Sequence, residues 1–210
     1  MSPNNNNHQP DNYASGVAYA LGGFILWGLA PIYFKELAHV AAMELLSYRM
    51  VFSFIFLIFL LFFRRSLAQV MREIKQALSN VKILSLLLVS ALLITTNWLV
   101  YIWAVAHNHV VETSLGYFIN PLMNVGLGML VLGERLSRTK LMAVGLAAAG
   151  VIYMVVAGGE FPWIALFLAT TFAFYGLIRK KVLIGAIIGL WVEMLILLPA
   201  AAGYLLYLDM

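Results

Sequence analysis

Seven runs of predominantly apolar residues follow one another along the chain, near 15–34, 41–63, 83–106, 112–132, 140–157, 161–178 and 183–207. At 1.5 Å per helical residue, about 20 such residues cross a hydrocarbon core of about 30 Å. None of the runs alternates polar with apolar positions, and lipid offers no partner to unpaired backbone amides, so each predicts a membrane-spanning helix. The connections are short except for 64–82. Two readings stand for Ser66 to Lys82: an amphipathic helix on the membrane surface with Leu67, Val70 and Leu78 in lipid, or a solvated connector. Residues 1–12, with Asn4 to Asn7 and Pro10, read as a disordered polar tail. They lack the basic and cleavable features of a secretory signal, so the first span is expected to be retained.

Composition agrees with this pattern. Of the 210 residues 63% are apolar and 10% charged, with mean hydropathy +0.94, whereas a soluble domain carries roughly a quarter charged residues. So few charges cannot cover a water-facing surface. The absence of cysteine excludes disulfides, thiolate metal sites and a cysteine nucleophile. The net charge of +4 does not point to nucleic acid, because the basic residues sit in the connections. With a cytoplasmic N-terminus, the inner connections hold Arg64, Arg65, Arg72, Lys75, Lys82, Arg135, Arg138, Lys140, Arg179, Lys180 and Lys181, eleven of the 13 basic residues. Lys35 alone falls outside, and Arg49 lies within a span. The positive-inside rule therefore predicts an N-terminus in the cytoplasm.

An internal repeat is also legible. Phe24 to Leu29 in span 1 and Phe172 to Leu177 in span 6 share an aromatic-Gly-Leu unit, with Trp27 and Tyr175 separated by 148 positions. Glu44 in span 2 and Glu193 in span 7 are 149 apart. This offset equals five spans, and an odd number inverts the second copy in the membrane, an arrangement recurrent in transporters. The expected organisation is a complete five-helix repeat over 13–157 and the first two helices of an inverted repeat over 158–210. Three further spans would complete the second copy, so the sequence reads as a truncated chain or fragment.

The stretches Asn97 to Val105, Glu112 to Leu122, Gly133 to Leu136, Phe172 to Lys181 and Trp27 to Lys35 resemble the RarD-like branch of the EamA family, within the drug/metabolite transporter superfamily. The resemblance covers roughly residues 13–207. It implies a bacterial inner-membrane protein of two inverted five-span repeats that exports small organic molecules or metabolites.

Ionisable groups at membrane depth cost about 2.5–3.5 kcal/mol on insertion scales and need a partner or a wet cavity. Glu44 and Arg49 share span 2 but are five positions apart, a poor helical pairing, so Arg49 is expected to reach Glu193 in the opposing copy. That pair reads either as a pathway element or as a structural ion pair. Glu44 and Glu193 are proton-carrier candidates, with Glu193 alternatively a neutral residue bonded to another helix. Glu112 is a third coupling candidate or an interfacial residue favoured at a helix N-terminus. Tyr117, Asn120 and Asn124 share one face of span 4 beside Pro121, which frees a carbonyl; they read as a cavity wall or as interhelical glue. Asn97, Trp98, Trp103 and Tyr175 complete the expected substrate pathway, with Trp103 alternatively an interfacial anchor. Gly126, Gly128 and Gly133 read as close-packing positions. His107 and His109 lack a third ligand and predict no metal site.

The expected mechanism is alternating access, with spans 1 to 4 and their counterparts lining the cavity and span 5 peripheral. No GxSxG, HExxH or paired aspartate motif supports an intramembrane enzyme, and no cofactor site is legible. A seven-span receptor is a weaker alternative. An inactive fragment, or one completed by an oligomer or second fragment, is another.

Overall fold

A computed structural model of the chain describes residues 10–64, 67–159, 161–182 and 184–210. These form eight helices: α1 (Pro10–Glu36), α2 (Ala42–Arg64), α3 (Leu67–Ser79), α4 (Val81–Ala106), α5 (Val110–Leu132), α6 (Arg138–Gly158), α7 (Trp163–Lys181) and α8 (Ala186–Leu208). All but α3 are long and apolar enough to cross a membrane, and among the described residues there is no strand. The seven expected spans are thus present, with ends moved by local chemistry. Asn80 caps α4 by accepting from the Lys82 and Ile83 amides at 3.0 and 3.2 Å. Ser137 accepts from the Lys140 amide to start α6. Gly133 (φ 68°) and Gly159 (φ 71°) end α5 and α6 in the left-handed conformation that glycine adopts at least cost. Of the expected tail, residues 1–9 lie outside the described residues, and Pro10 already opens α1.

The bundle is built on α2, α4, α7 and α8, with α5 packed on α7. Two apolar clusters stack along it. Toward the connections that flank α3, Leu61, Leu87, Ile188 and Val192 pack together. Toward the opposite end, Leu46, Met50, Tyr101, Ile102, Val105, Ile164 and Leu168 do so. Helix α5 approaches α7 through Gly116, where a Cβ would stand 3.2 Å from the Ala165 carbonyl oxygen. Small residues let helices touch when lipid supplies no hydrophobic drive for association. Gly126 meets open space, Gly128 faces the Glu134 carboxylate, and Gly133 is a cap. The glycine that lets α5 approach α7 is therefore Gly116, not those three. No residue of α6 is buried, so span 5 is peripheral.

Helix α3 settles the two readings of 64–82 differently from either. It is a helix, but Val70 and Ala77 are buried with α4 and α8 rather than lying in lipid. Leu78 is exposed, and the Leu67 side chain lies outside the described residues. A short amphipathic helix buries its apolar stripe wherever an apolar surface is nearest, and here that surface is the bundle.

Candidate functional site: an aromatic chamber and a buried ion pair

In the half away from α3, the aromatic residues of α1, α2, α4 and α5 converge. Trp98 of α4 stacks on Trp27 of α1 with centroids 5.1 Å apart. Edge contacts extend the group to Tyr101 at 5.5 Å and Phe34 at 6.1 Å from Trp98, and to Tyr117 at 6.3 Å from Trp27. This wall separates two cavities. One, of about 700 Å³, lies between α1, α2 and α4 and is lined by Trp27, Tyr33, Phe34, Tyr48, Arg49, Phe52, Ser53 and Trp98 among others. The other, of about 440 Å³, is lined by residues including Asn97, Tyr101, Thr113, Ser114, Tyr117, Asn120 and Phe172. Both suit a small amphipathic molecule, since pockets of this size combine apolar walls with a few placed polar groups.

Arg49 stands in the wall of the first cavity. Its guanidinium carbon lies 3.1 Å from the Trp98 ring centroid, a cation–π contact that contributes about 2 kcal/mol when desolvated. Nη1 is buried with no hydrogen-bond acceptor. Arg49 makes no ion pair among the described residues, and neither does Glu44.

The second polar centre lies in the half toward α3. Glu193 of α8 has no exposed surface. Ser90 of α4 donates to its Oε1 at 2.6 Å, and Tyr175 of α7 donates to its Oε2 at 3.4 Å. Arg179 of α7 completes the cluster, with Nη1 3.6 Å from Oε1 and Nη2 donating to the Ala186 carbonyl at 3.1 Å. The guanidinium reaches this position across Gly189, where any Cβ would collide with it. Gly189 and Glu193 are four apart on α8, and Tyr175 and Arg179 four apart on α7, so each pair shares a helix face. The partner of Glu193 is therefore Arg179 and not the expected Arg49, which is held on Trp98.

The remaining expected residues separate. Asn97 donates from Nδ2 to the Leu168 carbonyl at 2.9 Å and to Thr171 Oγ1 at 2.8 Å, tying α4 to α7. Asn124 donates to Asn120 at 2.7 Å, but only Asn120 of the two lines a cavity. Trp103 stacks on His107 and His109 and tilts against Trp163, away from both cavities. His109 Nδ1 lies 2.6 Å from Glu112 Oε1 at the start of α5, so Glu112 belongs to the helix terminus. Among the described residues no three His, Cys, Asp or Glu side chains converge as a metal site would need.

Comparison with known proteins gives this architecture its family. The model of the EamA-like transporter family matches residues 14–156, running from α1 into α6. An uncharacterized transporter of Vibrio cholerae is 48% identical over 193 residues, 92% of this chain and 63% of that protein. Protein RarD of Escherichia coli is 46% identical over 190 residues, 90% of this chain and 63% of its own length. The uncharacterized transporter YojE of Bacillus subtilis is 46% identical over 192 residues, 91% of this chain and 64% of that one. The chain thus spans 63–64% of the length of these relatives. No solved structure matches it. With seven membrane-spanning helices, a family model that covers the first five, and RarD proteins among its relatives, the chain is a multi-pass membrane protein belonging to the EamA-like transporter family.

Proposed function

We propose that the protein moves small organic molecules across the bacterial inner membrane by alternating access, without chemical change to the substrate. The observation that carries this is the pair of aromatic-walled cavities sharing Trp27 and Trp98, in a chain whose family is one of transporters. The half toward α3 is closed by packed side chains and the Glu193 cluster. The basic residues of the connections favour α3 on the cytoplasmic side. In that orientation the structure is an outward-facing state. Rocking of one unit against the other would part Ser90 from Glu193 and open the cytoplasmic side. Glu193 is the coupling residue we favour, because its carboxylate joins three helices. Export is the proposed direction, following the family resemblance.

The inverted-repeat reading, with 13–157 as one unit, is supported by the packing of α2 on α8. These are the proposed counterparts, and elements related by a two-fold axis meet each other where they lie beside it. Comparing small molecules outside cells with and without the protein tests the function. Export of at least one aromatic compound, lost on Trp98→Ala, is expected; identical profiles would overturn it. A second reading, transport only with helices from a partner or second copy, is favoured by α1, whose apolar length is almost wholly unburied. Cross-linking of the protein in its membrane checks it: a cross-linked species through α1 supports the reading, and a monomer that transports opposes it.

A further inference from the structure

We propose that Arg49 is the anion-reading group of the chamber, and that its ligands are organic acids with a flat apolar body. The inference rests on the transporter reading above and narrows it to a substrate class. Three observations carry it. The guanidinium lies in the wall of the larger of the two cavities, about 10 Å along α2 from its first residue by helical rise. One face is held by Trp98, which fixes the plane of the fork, while Nη1 has no acceptor. Among the described residues no carboxylate neutralises it: Glu44 forms no ion pair, and Glu193 is occupied by Arg179, Ser90 and Tyr175. A planar guanidinium carries paired N–H donors that match a carboxylate, and the buried Nη1 gains its acceptor only if an anion enters beside it. The rings of Trp27, Phe34 and Phe52 supply the apolar surface for the rest of the molecule.

The test is equilibrium binding of three probes of one shape to the intact protein in lipid nanodiscs, by calorimetry, with empty nanodiscs as the reference. The probes are phenylacetate, neutral phenylacetamide and cationic phenethylamine. Phenylacetate is expected to bind about ten-fold or more tighter than the amide, as a charge-assisted bidentate contact requires, and the amine weakest. Arg49→Gln should bring the acid-to-amide ratio to about one, and Arg49→Lys should retain part of it. Equal binding of acid and amide to the unaltered protein would overturn the anion assignment while leaving the chamber standing. Failure of all three probes to bind would overturn the chamber as a binding site and the proposal with it. The unaltered protein alone decides between these outcomes, whatever the stability of the variants.

Discussion

Arg49 and Glu193 each lie seven residues into a 23-residue helix, one in α2 and the other in α8, and both face the cost of a charge at membrane depth. Glu193 is fully dressed: a hydroxyl, a phenol and a guanidinium converge on it from two neighbouring helices. Arg49 is dressed on one face only, by an indole, with a donor left over and a cavity beside it. The first arrangement satisfies the carboxylate within the protein and so fastens helices together, although Arg179 Nη1 itself makes no hydrogen bond. The second leaves part of the charge for something else to satisfy. The burial of a charge therefore does not separate structure from function here; how many of its partners the protein itself provides does.

The sharpest way to break the comparison is at the dressed pair. Arg179→Ala leaves Glu193 buried without its cation, and breaking such a pair costs about 3–5 kcal/mol. A large fall in the thermal unfolding midpoint in detergent is expected, with partial recovery in the Arg179→Ala, Glu193→Gln double variant, since neither charge then remains. An additive double variant would mean that the two side chains act separately. Gly189→Leu should come next: its side chain would evict the guanidinium, and overpacking costs about 1–3 kcal/mol. Adding it to Arg179→Ala should cost little further in the same unfolding measurement. By contrast, Trp98→Ala removes the indole under Arg49, with a cation–π loss of about 0.5–2 kcal/mol. It should weaken probe binding to the chamber more than it shifts unfolding, and the reverse balance would make Trp98 a structural residue. The smallest effect is expected at Lys180→Ala. Its bridge to Glu134 at 2.6 Å joins two half-exposed side chains, and such pairs contribute about 1 kcal/mol or less.

The spans were legible because hydropathy over about 20 residues is an additive, local signal. Helix α3 was only half legible, since an amphipathic stripe states that one face is apolar without stating what covers it. The site divides along the same line. Trp98, Asn120 and Tyr117 are recognisable in sequence as unusual residues within spans, and the second cavity gathers them together with Trp27, which the sequence marks only as part of the repeat. Trp103 and Glu112 looked alike in sequence but belong to the end of the bundle. Arg179 is hidden in sequence because Arg179-Lys180-Lys181 reads as one basic cluster at a helix end, a signal of topology alone. Only Arg179 turns inward. The signal that would have found it is Gly189, a gap one turn before a buried acid, matched by Tyr175 one turn before the arginine. Pairings between helices distant in sequence carry no local periodicity, which is why sequence points Glu193 to Arg49 where the fold gives it Arg179.

A chamber open to one side of the membrane beside a closed Glu193 half should differ from it in access to water. Because the chain has no cysteine, single cysteines can be introduced without background. Ser53 lines the chamber, and Ala173 is fully buried on α7. The measurement is the labelling rate of Ser53→Cys and Ala173→Cys by a membrane-impermeant thiol reagent applied to each side of sealed vesicles. Rapid labelling at 53 from the periplasmic side alone, and protection at 173 from both sides, are expected. Equal labelling of the two positions, or labelling at 53 from the cytoplasmic side only, would contradict it.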